Sequence, residues 1–229
     1  MKFHLLLVAT ALAIPLAANV ANAGNASFKI AVDGRIVATA CSLKISEQGF
    51  FDNGKVPVRN LSTNRFTLLP PVDRQLQISC DSKTQVALTI RDGNPGLVPF
   101  NEEMKFFDSE NTGWRWTPAK QYGLKDDGGH AIGSWALRLE PKTFKADGQS
   151  LDSIWSETDG AKWIGSAGNF FHDAADWESW SLPGTLVPIA AKEFTGTIRT
   201  QVALDRGSQQ GVPREIPFSG TAILTLVYL

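Results

Sequence analysis

Gln85-Val-Ala-Leu-Thr-Ile-Arg91 is the stretch on which the reading of this chain turns. Val86, Leu88 and Ile90 alternate with Gln85, Ala87, Thr89 and Arg91, the period of two expected of a strand with one face toward a core. Asp92-Gly-Asn-Pro95 follows at once, a cluster of residue types that chain reversals favour. Working outward, residues 74–80, 132–139, 195–204 and 221–229 read as further strands. Residues 25–32 do the same, with Ala26, Phe28, Ile30 and Val32 as the apolar set; Asp33-Gly34 marks a turn before another strand-like run, 35–43. Amphipathic helical periodicity is nowhere sustained over three turns. The expectation is an all-β antiparallel sandwich.

Residues 205–217 read as a polar connection between the last two strands. Residues 142–184 are rich in Asp, Gly, Ser and Trp and alternate weakly, which marks an elaborated insertion between core strands. No internal repeat is evident, which disfavours a propeller or solenoid.

The opening of the chain reads as an export signal. Lys2 supplies the positive charge, residues 5–16 the apolar stretch, and Ala21-Asn-Ala23 the small-x-small cleavage pattern, so residues 1–23 are expected to be a signal peptide and the mature chain to start at Gly24. The apolar stretch is broken by Pro15 and is shorter than the roughly 20 residues of a membrane-spanning helix; a retained anchor is the competing reading. Residues 24–229 then form a single domain of 206 residues, ample for a core. Lys2 is the one charged side chain before residue 24, so the mature part carries 21 basic and 23 acidic side chains, net −2. That balance offers no electrostatic footprint for nucleic acid.

Cys41 and Cys80 are the two cysteines, and an even pair in an exported chain reads as one disulfide. Closing that loop stabilises a fold by roughly 4 kcal/mol in the chain-entropy picture. Two free thiols or a metal pair are the alternatives; a metal pair would need partners, and His130 and His172 lie far away in sequence.

These landmarks together resemble chaperone–usher pilus subunits: a signal peptide, Arg35-Ile-Val-Ala-Thr-Ala-Cys41, then Gln77-Ile-Ser-Cys80, and a terminal strand with a penultimate tyrosine, Gly220-Thr-Ala-Ile-Leu-Thr-Leu-Val-Tyr228-Leu229. A closer resemblance is to a group of exported, fimbrial-like proteins of unknown function, DUF1120. It is carried by Ile78-Ser-Cys80 with residues 85–90, by Tyr122-Gly-Leu124 with Ile132-Gly133, and by Phe218-Ser-Gly220 through Leu229.

The resemblance implies an immunoglobulin-like, pilin-type sandwich that lacks its final strand and exposes an apolar groove. Such an edge aggregates alone. A periplasmic pilus chaperone would fill the groove, an outer-membrane usher would receive the subunit, and the N-terminal extension of a neighbouring fimbrial subunit would replace the chaperone strand. Gly220, Ala222, Leu224, Leu226, Tyr228 and Leu229 would form the chaperone and subunit interface strand, and Ala26, Phe28, Ile30 and Val32 the donor strand. Two features depart from the family pattern. Ile216 stands where a typical pilin has a glycine about fourteen residues from its end, and the N-terminal extension is short. Residues 25–32 serve equally as the domain's own first strand, and a tip, terminating or non-polymerising role stays open.

No catalytic constellation emerges. His172-Asp173 with Asp176 and Glu178 is the one cluster combining a possible base with carboxylates, but no Gly-x-Ser-x-Gly elbow accompanies it and no metal-ligand spacing is present, so it reads as a solvated face. No phosphate-binding or dinucleotide motif occurs, and no cofactor is implied. Seven tryptophans are the oddity of the composition. Trp177 and Trp180 beside Phe170 and Phe171 are the choice for a glycan or receptor surface, because aromatic faces stack on sugars and anchor partners; core packing is the competing assignment. Trp114 and Trp116 alternate in the manner of a core strand.

The expected function is therefore a structural or adhesive subunit of a fimbria, reaching the periplasm and then the fimbrium or cell surface. A self-complete periplasmic or secreted ligand-binding module is the alternative, and a hydrolase using His172 the remote third.

Overall fold

The computed structural model describes residues 40–97, 105–107, 117–168, 176–206 and 216–229. The expected signal peptide, the donor residues Ala26, Phe28, Ile30 and Val32, and Trp114, Trp116, Phe170, Phe171, His172 and Asp173 lie outside the described residues.

In chain order the strands are β1 (Cys41–Ile45), β2 (Thr67–Leu68), β3 (Val72–Asp92), β4 (Tyr122–Asp126), β5 (Ala131–Leu139), β6 (Lys145–Ala146) and β7 (Gln149–Ser150). They continue with β8 (Asp152–Ser156), β9 (Ile164–Gly165), β10 (Trp177–Ser181), β11 (Ala190–Leu204), β12 (Phe218–Ser219) and β13 (Ala222–Tyr228). Every described pairing is antiparallel, and the only helical pieces among the described residues are single 3-10 turns. The all-β expectation holds.

β3 organises the domain. The two strands expected at 74–80 and 85–91 are one continuous strand of 21 residues. Its first half pairs with β11 and β1, its second half with β13 and β10, so a single strand passes from one sheet into the other. The outer strands follow: β11 pairs with β5, β5 with β4 and β4 with β12 in the first sheet, and β10 with β8 and β8 with β9 in the second. Asp81, Ser82 and Lys83 are exposed where β3 crosses over, which explains why the alternation in sequence breaks there although the strand does not.

The core lies between the sheets. Leu76, Ile78, Leu139 and Ile198 from the first sheet and Leu88 and Ile90 from the second belong to one buried cluster. At about 25 cal/mol per Å² of apolar surface removed from water, each such side chain contributes on the order of 2 kcal/mol. Phe144, Trp180 and Phe194 form an aromatic stack within it, with Phe144 to Trp180 ring centroids 4.8 Å apart and Trp180 to Phe194 5.5 Å. Gly196 makes this possible, because a Cβ there would fall into the Phe144 ring.

The disulfide Cys41–Cys80 is formed, linking two directly paired residues of β1 and β3. The stretch 142–184 contributes five strands, of which β8 and β10 carry the second sheet outward from β3.

Candidate functional site: an open groove between the two sheet edges

Among the described strands β1 forms a backbone ladder with β3 alone, and so does β13. The hydrogen-bond register shows that both lie on the same side of β3. Asp81 N–H donates to Ala40 O at 3.0 Å, Gly93 N–H to Thr221 O at 2.8 Å and Leu229 N–H to Gln85 O at 3.1 Å. In an antiparallel ladder every second residue is turned toward the same neighbour, so the odd-numbered residues of β3 face β1 and then β13. The even ones face β11 and β10, as the Ser179 hydroxyl donating to Val86 O at 2.7 Å confirms.

The same alternation settles what the outer edge of β13 presents. Residues 221, 223, 225, 227 and 229 bond to β3, so the N–H and C=O groups of Ala222, Leu224, Leu226 and Tyr228 point away from it. On β1 the outward groups are those of Cys41, Leu43 and Ile45. One of them is taken: Cys41 N–H donates to Tyr228 Oη at 2.9 Å, pinning the two edges together at one end.

Beyond that bond the edges diverge and an apolar groove of about 860 Å³ opens between the sheets. Trp135, Leu137, Ile198 and Val202 of the first sheet line one wall; Ile90, Ala222 and Leu224 of the second line the other. A third wall is the loop that follows β1, where Phe51, Val56 and Leu61 reach the core while Phe50 and Val58 stay exposed. Residues 216–221 close the end of the groove. There Gly220 sits against the Trp135 indole so closely that a Cβ at Gly220 would overlap its nitrogen, which donates to Gly123 O at 3.2 Å.

The expected interface strand is thus divided by the structure. Gly220, Ala222 and Leu224 line the groove; Leu226 packs on the core without reaching it. Tyr228, 50% exposed, lies at the pinned end, and Leu229 is exposed. On the other face Ile223 is 62% exposed, so the strand is less two-sided than its composition suggests.

Two expectations need correction. Trp180 is not on a ligand surface: it is fully buried between Phe144 and Phe194, because β10 is an inner strand of the second sheet rather than the rim of a loop. Trp177 is half-buried against Gly160. Glu178 is not on a solvated face either, since it pairs with Leu88 and is 3% exposed. Its Oε1 accepts a hydrogen bond from Ser166 Oγ at 2.8 Å while Oε2 has no partner, and burial pushes its carboxyl well above the usual range, with Asp176 adding to the shift. Among the described residues no group of three or more His, Cys, Asp or Glu side chains gathers as metal ligands, and no helix is long and apolar enough to cross a membrane.

Fold and groove together define an antiparallel β-sandwich in which the outer edges of β1 and β13 have no ladder partner among the described residues. The family model for a protein of unknown function, DUF1120, matches residues 30–136, which bears out the resemblance read from the sequence over that stretch. The uncharacterized protein YhcF of Escherichia coli (strain K12) is 22% identical over 226 residues, covering 91% of this chain and 94% of that protein. Among solved structures, the P pilus rod subunit PapA is similar with a TM-score of 0.37 and 15% identity, over 82% of this chain and 99% of that one.

Proposed function

We propose that this protein is an exported structural or adhesive subunit of a chaperone–usher fimbria, assembled by strand complementation. The observation that carries the reading is the outer edge of β13: four alternate residues, Ala222, Leu224, Leu226 and Tyr228, with unbonded backbone groups among the described residues, the first two bordering an apolar groove. A strand laid along that edge satisfies its N–H and C=O groups while alternate side chains enter the groove, which is how β-strand addition combines affinity with specificity. Its partners in this reading are a periplasmic pilus chaperone, an outer-membrane usher and neighbouring copies or other fimbrial subunits. Residues 26–32, with Ala26, Phe28, Ile30 and Val32 alternating, have the composition of a donor. The reading assigns the chain adhesion or assembly rather than chemistry.

A groove of this volume also falls in the range of small-molecule sites, which keeps the self-complete ligand-binding module as a second reading. Expression of residues 24–229 in an oxidising compartment, with and without a pilus chaperone, separates the two. A stable complex with the chaperone is the expected result, with the lone subunit monomeric only at low concentration and aggregating above it. A stable lone monomer that binds apolar small molecules overturns it.

A further inference from the structure

The loop between β1 and β2 is built differently from an ordinary connection. Glu47 and Gln48 both adopt left-handed backbone conformations (φ 52° and 54°), and Gly49 follows with φ 76°. Two successive non-glycine residues in that region are strained, since the Cβ crowds the backbone there. This hinge reverses the chain at the end of β1 and sends residues 50–58 over the groove mouth. The tongue so formed folds on itself around Asp52: Gly54 N–H donates to Asp52 Oδ1 at 2.8 Å, and Asn53 Nδ2 to Phe51 O at 3.3 Å. Arg74 ties it to the sheet: its Nε donates to Phe50 O at 2.8 Å and its guanidinium lies 5.6 Å from the Phe51 ring centroid. No strand pairing holds it among the described residues.

Phe51 and Val56 are the tongue's two inward apolar side chains, and both pack on the core from the groove. They share the groove with Ile45 at the end of β1 and with Ala222 and Leu224 of β13. We infer that residues 50–58 are a displaceable tongue: Phe51 and Val56 shield the groove of the free subunit, and an incoming strand expels them as its own alternating apolar side chains enter. The inference rests on the strand-complementation reading and adds a regulatory step to it. The strained Glu47–Gly49 hinge, and the lack of strand pairing to 50–58 among the described residues, suit a segment that opens as a unit.

The test uses residues 24–229 with the disulfide intact, and as probe a synthetic peptide of residues 24–34 in excess. Hydrogen exchange read by mass spectrometry reports both parts. Displacement predicts that amides in 51–56 exchange at least tenfold faster with the peptide bound, while amides in 222–228 become protected. Protection of β13 with unchanged or slowed exchange in 51–56 makes the loop a fixed wall and overturns the tongue while sparing strand addition. No protection at β13 removes both. A double variant, Phe51→Ala with Val56→Ala, should bind the labelled peptide at least tenfold faster in stopped-flow; an unchanged or slower rate contradicts displacement.

Discussion

The phenolic oxygen of Tyr228, one residue from the end of the chain, accepts the backbone N–H of Cys41 at the start of the first described strand. The bond joins the edges of the two sheets where β3 crosses between them, and the groove opens from that point. Replacing Tyr228 by Phe removes this one bond while keeping the ring. The expected loss is about 1 kcal/mol, the net worth of an ordinary hydrogen bond, seen as a fall of roughly 2–4 °C in the unfolding midpoint of a domain this size. An unchanged midpoint would show that the two edges are held elsewhere.

Reduction of Cys41–Cys80, which closes a loop with a sequence separation of 39, has a larger effect. The unfolded chain regains its freedom, and urea titration should record a loss of roughly 4 kcal/mol. The double variant Cys41→Ala, Cys80→Ala should match the reduced protein.

Gly220 and Trp135 make the groove's closed end. Gly220→Val places a branched side chain where the indole lies, and the overlap should cost about 1–3 kcal/mol and shift the tryptophan emission as Trp135 moves. An unperturbed spectrum with wild-type stability would mean that residues 216–221 pack differently.

Two carboxyls pull the pH dependence in opposite directions. Burial raises the folded-state value of Glu178, so the stability attached to its neutral form is complete below the unfolded value and is lost as pH rises through the folded one. Glu178→Gln should therefore stabilise the protein increasingly across that window, level off above it, and leave acid stability unchanged. Asp73 is held low, first by its hydrogen bonds from Arg199, Nε at 2.6 Å and Nη2 at 2.7 Å. Its contribution is present above the unfolded value and is lost as pH falls through the folded one, so Asp73→Asn should flatten the acid limb only. Thermal melts across pH 3–9 (on the order of one unit per step) check both signs.

Leu224 faces the groove and Ile223 faces solvent. Leu224→Ala should weaken binding of the 24–34 peptide about tenfold, the equivalent of about 1.4 kcal/mol, and Ile223→Ala should leave it unchanged. Isothermal titration calorimetry measures both; equal effects would place the peptide outside the groove.

The strands were legible wherever one face is buried and the other is wet. Residues 221–229 match β13 within a residue or two, because burial on one face imposes the period of two; residues 132–139 match β5, which is buried on both faces and reads as a strand from its apolar run. Alternation failed where that asymmetry disappears. Exposed Asp81, Ser82 and Lys83 hid the continuity of β3, and the short β8 and β10, where Ile154, Ser179 and Trp180 are buried on alternating faces, read as an irregular insertion. A tryptophan in a polar, serine-rich stretch resembles a binding surface in sequence; only the pairing of Glu178 with Leu88 reveals an inner strand. The groove was half visible. Its C-terminal wall follows from the apolar set Ala222 and Leu224, whereas Phe51 and Val56 sit in a loop with no periodicity, and nothing in one dimension marks them as facing β13.

The central claim is that the outer edge of β13 is completed by a strand from another chain. Residue-resolved amide exchange on monomeric protein tests it through the alternation along that edge. Without a partner, the amides of 223, 225, 227 and 229 should be slow and those of 222, 224, 226 and 228 fast; added 24–34 peptide should slow the fast set at least tenfold and leave the other set alone. If the even-numbered amides are already slow in the lone monomer, or stay fast at saturating peptide, the edge is not the assembly site and the account is wrong.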